Sequence, residues 1–364
     1  MTDWKNCKNI LVIRADNMGD LLMSSPAIRA LKETFDCRIT LLTSAMGNAI
    51  APYIDVIDET IVADLPWVKT PEPVKEKDIK LLINRLQKLE FDAAVIFTVY
   101  SQNPLPAAML AYMAGIRKRL AYCRENPYHL LTDWVVEKEP YTFIQHQVKR
   151  DLHLVKMIGA DSQDEQIKIN FSENAKVHSL KKISAEGIDL EKDWVILHPG
   201  VSETKREYPQ NLWIETGKLL RDELGVQILI TGSANEKEIC ENLRQGIGQG
   251  SFSMAGIFSV EELIAAISQA PLLISVNTGT AHIAAATQTP VVVLYALTNP
   301  QHTPWQENSS VLFFSVKEDL RSKNEVVNYV SQKLMDKTLE FPAPRQIVNE
   351  AEKLLSKVEH LSGF

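Results

Sequence analysis

Short runs of consecutive apolar residues, rich in Val and Ile, alternate along the chain with stretches whose apolar positions recur every three or four residues. In the first half the apolar runs at 10–14, 38–43, 93–98 and 119–123 predict strands. Between them the spacing predicts helices over 26–34, 78–88 and 105–114, and a longer amphipathic helix follows over 145–158. The alternation then restarts, with strands at 194–198, 226–231, 272–276 and 291–295 and helices at 212–224, 236–245, 260–269 and 280–287. Near-continuous apolar strands separated by helices predict a parallel sheet covered on both faces. Two such blocks predict an α/β chain of two units, residues 1–175 and 176–364, with the charge-rich stretch 172–193 as their connection. A last amphipathic helix over 345–360 is expected to pack back across the junction onto the first unit.

A length of 364 residues supports two cores rather than one. With 45% hydrophobic and 23% charged residues the composition is that of an ordinary globular protein. The formal net charge of −7 argues against a general nucleic-acid binder, which needs excess Lys and Arg to displace counterions. The start of the chain is polar, its apolar run at 10–13 is too short for a signal-peptide core, and nothing approaches the ~20 apolar residues of a membrane span. Cys7, Cys37, Cys123 and Cys240 are scattered without a C-x-x-C pair, so neither a zinc site nor a disulfide framework is expected. These features together predict a cytoplasmic protein.

In open parallel sheets ligands bind beyond the carboxyl ends of strands, so the turns that follow strands carry the candidate chemistry. The first reads Arg14-Ala15-Asp16-Asn17-Met18-Gly19-Asp20 and leads to Ser24, Ser25 and Pro26. Pro26 suits the first turn of a helix with either serine as its cap. Asp16 and Asp20 either cap a turn or supply a general base. The chain has no G-x-G-x-x-G and no G-x-x-x-x-G-K-[ST], which removes support for a dinucleotide dehydrogenase and a P-loop NTPase.

The second turn, His198-Pro199-Gly200-Val201-Ser202-Glu203-Thr204-Lys205-Arg206, gathers hydroxyls and cations before a helix opened by Pro209. It is either an anion site or a solvated loop. The third, Ser275-Val276-Asn277-Thr278-Gly279-Thr280-Ala281-His282, opens a helix of small residues. Gly279 permits close backbone approach, the free N–H groups at the helix start favour a diphosphate, and His282 falls in the first turn. The fourth, Thr231-Gly232-Ser233-Ala234-Asn235-Glu236, offers Glu236 either to ribose hydroxyls or to a helix N-terminus.

Taken together these turns resemble the heptosyltransferase family, glycosyltransferase family nine. I-L-V-I-R-A-D-N-M-G-D-L-L-M-S-S-P-A-I-R-A-L is similar to the family's N-terminal signature. H-P-G-V-S-E-T-K-R-E-Y-P is similar to its donor loop, and N-T-G-T-A-H-I-A-A-A-T-Q-T-P-V-V-V-L-Y to its C-terminal donor signature. The three come in the family's order and extend from about residue 9 to residue 305. The resemblance implies a GT-B fold: two Rossmann-like domains facing across a cleft, the acceptor on the first and a nucleotide-sugar on the second. It implies an inverting, metal-independent transfer with no cofactor, commonly from ADP-heptose to the lipopolysaccharide core.

In that family Asp20 would be the general base and Lys205 the contact to donor phosphate. Thr278, Gly279 and His282 would form the phosphate-binding turn, flanked by Asn277 and Thr280, and Glu236 the acidic residue near the nucleoside. Gly200 and Ser202 lie on the donor loop. Many members carry Asp where this chain has Asn277, and an amide supplies neither an anionic metal ligand nor a base. Arg14 is expected to meet the anionic groups of a lipid-linked or surface-glycan acceptor, and Arg117 and Arg119 either join it there or form a solvated basic turn; such an acceptor would bring the protein to the cytoplasmic face of the inner membrane. Two rivals stand beside the transferase: another GT-B nucleotide-sugar enzyme such as an epimerase, and a non-catalytic nucleotide-sugar binding protein.

Overall fold

The computed structural model describes residues 1–70, 72–333 and 338–362, and they divide into two compact units, Met1–Lys168 and Ile169–Phe364. The division falls seven residues before the boundary expected at 175, because the chain enters the second unit ahead of its first helix.

In the first unit the elements run β1 (Asn9–Ile13), α1 (Met18–Phe35), β2 (Arg38–Thr43), α2 (Ala45–Asn48), β3 (Glu59–Val62) and α3 (Glu76–Lys88). They continue as β4 (Ala93–Ile96), α4 (Leu105–Met113), β5 (Lys118–Cys123), β6 (Asp133–Val136) and α5 (Gln147–Lys156). All six strands are parallel, in the order β3-β2-β1-β4-β5-β6. Ile10, Leu11, Val12 and Ile13 are all buried, so the central strand is covered on both faces. The order reverses between β1 and β4, and the crevice beyond their carboxyl ends is the place where such sheets take ligands.

The second unit repeats the plan. It contains α6 (Glu173–Ala185), β7 (Trp194–His198), α7 (Gln210–Leu224), β8 (Gln227–Ile230), α8 (Lys237–Ile247) and β9 (Ser251–Ser253). Next come α9 (Val260–Gln269), β10 (Leu273–Val276), α10 (Gly279–Thr287), β11 (Val291–Ala296), β12 (Ser309–Phe314), α11 (Glu325–Lys333) and α12 (Pro344–Ser362). The parallel order is β12-β11-β10-β7-β8-β9, and it reverses between β7 and β10. The stretch expected to be a plain connection contains α6, whose start is capped by the Ser172 hydroxyl accepting from the Ala175 N–H at 3.2 Å. The expected last helix is present as α12, and its apolar face is occupied by the second unit's own core. Ile347, Val348, Ala351 and Leu354 join Trp213, Leu220, Leu294 and Phe314 there.

Helix α1 begins eight residues before the position that Pro26 suggests. Asn17 precedes it, and its N–H donates to the Asp20 carboxylate at 3.1 Å. Pro26 therefore sits inside the helix, where it deprives the Leu22 carbonyl of its N–H partner. The Ser25 hydroxyl donates to that same carbonyl at 2.7 Å, so the serine takes over the missing bond rather than capping the helix. Ser24 likewise turns inward, donating to the Asp151 carboxylate at 2.7 Å.

Candidate functional site

The loop after β1 places three charged groups beyond the carboxyl edge of the first sheet. Arg14 is completely buried, and its guanidinium lies 3.2 Å from Asp20 Oδ1 and 3.4 Å from Asp16 Oδ2. Asp20, at the third position of α1, thus has one oxygen on a cation and the other on the Asn17 N–H, while its side chain keeps an 11% opening to solvent. Asp16 also accepts from the Gln102 side-chain amide at 2.6 Å. Burial outweighs the pull of Arg14 on Asp16 and raises its pKa. Behind this pair stands Asp151 on α5, held by Ser24 and Gln147 and pushed up by burial to about 6.

This geometry corrects the expectation that Arg14 meets an acceptor anion. A guanidinium with no exposed surface and two carboxylates beside it orients those carboxylates instead. Arg119 is corrected as well. It is 6% exposed and donates to the Leu130 and His129 carbonyls at 2.7 and 2.8 Å, tying down the loop before β6. Arg117 is exposed, but it precedes β5, whose first residue Lys118 pairs with Ala93 at the start of β4. Both arginines therefore lie towards the amino edge of the sheet, opposite the edge that carries Asp20.

In the second unit the reversal between β7 and β10 brings the loop after β7 beside the turn that opens α10. Arg206 Nη1 donates to the Asn277 carbonyl at 3.0 Å, bridging the two. Within the turn, Ser275, Thr280 and Thr278 form a chain of hydroxyls with spacings of 2.9 and 3.0 Å. Thr278 precedes Gly279 without a side-chain bond capping the helix, and His282 is buried in the first turn. The Asn277 side chain, however, faces the sheet. Its oxygen accepts from the Ala296 N–H at 3.2 Å, while its nitrogen donates to the Ala296 carbonyl at 3.3 Å and to Thr298 at 3.2 Å. This two-way clamp joins the ends of β10 and β11, and it requires an amide because a carboxylate has no N–H to give the carbonyl.

Lys205 pairs with Glu203 at 3.1 Å, and Ser202 on the same loop is exposed. Glu236 accepts from the Ser233 N–H at 2.6 Å, as a helix-start acid does. Its carboxylate also lies against the Gly200 backbone, where any Cβ would overlap it. Gly200, Lys205 and Glu236 line a cavity of about 660 Å³ together with Tyr208, Asn242, Phe314, Lys317 and Phe341. That volume is in the range of small-molecule sites. His198, at the end of β7, shares a 2.9 Å bond between Nδ1 and the Thr231 hydroxyl. Burial pushes its imidazole down to about 4 against a smaller opposing pull from Glu236.

The candidates divide into two clusters at two carboxyl edges, Asp20 in the first unit and the residues of the loop after β7 and of the α10 turn in the second. Sequence reasoning did not single out Asp151, and it placed Arg206 among the cations of the second turn without giving it a role of its own. Asp151 belongs to none of the four turns and carries no local signal, whereas Arg206 is adjacent to Lys205 and only its bond to Asn277 distinguishes it. Among the described residues no group of three or more His, Cys, Asp or Glu side chains is placed to hold a metal ion. All four cysteines are buried and free. No helix among the described residues is long and apolar enough to cross a membrane.

Comparison with known proteins agrees with this arrangement. Lipopolysaccharide heptosyltransferase 2 of Escherichia coli is 24% identical over 96% of this chain and 99% of its own length. A family 9 glycosyltransferase from Veillonella parvula shares the fold with a TM-score of 0.76 at 17% identity, covering 98% of each chain. An Escherichia coli heptosyltransferase solved with ADP-2-deoxy-2-fluoro heptose superposes with a TM-score of 0.62 at 18% identity, over 90% of this chain and 99% of that one. Both structures establish the GT-B architecture of paired parallel sheets. The sequence profile described as glycosyltransferase family 9 (heptosyltransferase) matches residues 79–330, well over half of the chain. The chain is therefore a glycosyltransferase and belongs to family 9, the heptosyltransferase family.

Proposed function

We propose that the protein transfers heptose from ADP-heptose to a lipopolysaccharide-core or related surface-glycan acceptor, with inversion at the anomeric carbon and without a metal ion. The observation that carries this is the convergence, in a family 9 chain, of Arg206, the hydroxyls of Thr278 and Thr280 and the open start of α10 on one turn at the reversal of the second sheet. Such a turn suits a diphosphate, because oriented N–H groups and cations offset the charge that gathers on the leaving oxygen. Lys205 and Glu236 are assigned to the donor phosphate and ribose. In the first unit Asp20 is the base, its carboxylate oriented by Arg14 and by the Asn17 N–H. It accepts the proton of an acceptor hydroxyl as that oxygen bonds to the anomeric carbon and the bond to ADP breaks. The acceptor is assigned to the first unit, and a lipid-linked acceptor would bring the protein to the cytoplasmic membrane face. The cations and N–H groups of the second unit do the work that Mg²⁺ does elsewhere.

The test is to incubate the protein with ADP-heptose and a heptose-deficient core acceptor in the presence of a chelator, following ADP release and product mass. Release of ADP matched by a product one heptose heavier supports the assignment, and proton NMR of the new linkage reports inversion. Conversion of ADP-heptose without any acceptor product, or an absolute need for added Mg²⁺, would overturn it.

A further inference from the structure

The reversal between β7 and β10 holds an acid that the transfer chemistry does not use. Glu203 lies on the donor loop with its side chain 36% exposed, and its two oxygens are divided between two cations. Oε1 is 3.1 Å from Lys205 Nζ, and Oε2 is 3.0 Å from Arg206 Nη2. Arg206 is at the same time bound through Nη1 to the Asn277 carbonyl at 3.0 Å. The carboxylate is thus fixed beside the turn that opens α10 by a cation already docked on that turn. An oxyanion engaging two cations through separate oxygens is also how a diphosphate binds such a pair.

We propose that Glu203 occupies the place of the donor diphosphate in the donor-free protein, and that donor binding transfers Lys205 and Arg206 from this internal carboxylate to the phosphates. The inference rests on the assignment of this turn to the donor. It makes Glu203 a positioning residue that sets donor affinity and gives Arg206, beside Lys205, a direct contact to phosphate. The half-open position of Glu203 matters to the argument: the side chain swings into solvent without breaking the core. In the absence of donor it keeps two neighbouring cations from repelling one another and screens them from other anions.

Glu203→Gln removes the competing charge while preserving shape. Binding of ADP, inorganic pyrophosphate and adenosine to the full-length wild-type and variant proteins is measured by calorimetry. The variant is expected to bind ADP and pyrophosphate about two- to fivefold more tightly, the range of a partly exposed ion pair, with adenosine unchanged. Glu203→Asp, which keeps the charge, is expected to stay close to wild type. Unchanged or weaker ADP binding by Glu203→Gln would overturn the inference, as would an equal gain for adenosine. A wild-type protein that binds neither ADP nor pyrophosphate would instead sink the donor assignment beneath it.

Discussion

Arg14 and Asp20 meet as a 3.2 Å ion pair in which the arginine has no exposed surface and the aspartate retains a narrow opening. The buried cation fixes the direction in which the carboxylate faces, and a base must be held within hydrogen-bond reach of the proton it takes. Asp20→Asn keeps the bond from Arg14 through its carbonyl oxygen but has no basic oxygen to offer. Turnover is expected to fall by about 10²–10⁴-fold, with ADP affinity within twofold of wild type. Rates of ADP release and calorimetric ADP binding check the two halves separately, and undiminished turnover would remove Asp20 from the chemistry.

The Asn277 clamp makes the reverse kind of prediction. In Asn277→Asp the bond to the Ala296 carbonyl is replaced by two opposed oxygens at the end of β10. A buried acceptor left without its donor costs about 1–3 kcal/mol. The midpoint of denaturant unfolding should fall accordingly. An unchanged midpoint would mean that the side chain is free to turn away from β11.

Gly200 permits the Glu236 carboxylate to rest against the backbone. In Gly200→Ala the flexible acid is displaced rather than the fold, at the loss of its bond to the Ser233 N–H, about 1 kcal/mol. ADP affinity is expected to fall by about tenfold, while adenine base alone binds as before. A loss for adenine as well would place the defect beyond the ribose.

His198 gives stability a dependence on pH. Its imidazole is held down to about 4 by burial, below the ordinary value of 6.5, so the unfolded chain takes up a proton that the folded protein refuses. The unfolded state then binds more protons between these limits, and stability is lost as pH falls from about 6.5 towards 4. A contribution on the order of 1–3 kcal/mol is expected to disappear in His198→Asn. Calorimetric unfolding of both proteins across this range checks it, and parallel curves would show that other groups set the acid limb.

The central strands were the most legible feature of the sequence. β2 and β7 match the expected runs residue for residue, because both are interior strands whose residues, Arg38 excepted, are all buried. The edge strands β3, β6, β9 and β12 were not visible for the opposite reason: the first three have only three or four residues, and β12 is partly exposed along most of its length. Pro26 misplaced the start of α1, since only the structure shows Ser25 supplying the bond that proline lacks. The donor loop and the α10 turn could be located from their glycines and hydroxyls. The roles of the arginines could not. Charge in a sequence carries no sign of burial or of which sheet edge it occupies, and these two facts separate Arg14 and Arg119 from a surface that meets an acceptor.

Helix α12 seats Ile347, Val348, Ala351 and Leu354 among core residues contributed by α7, β11 and β12. Chains are synthesised from the N-terminus, and domains generally fold as units as they emerge. The first unit is therefore free to fold while translation continues, but the second has all six strands synthesised before the helix that packs on its core. During that interval Trp213 and Leu294 have no lid, and chaperones have a window in which to bind. A chain interrupted after β12 would leave that part of the second unit's core uncovered and prone to aggregate.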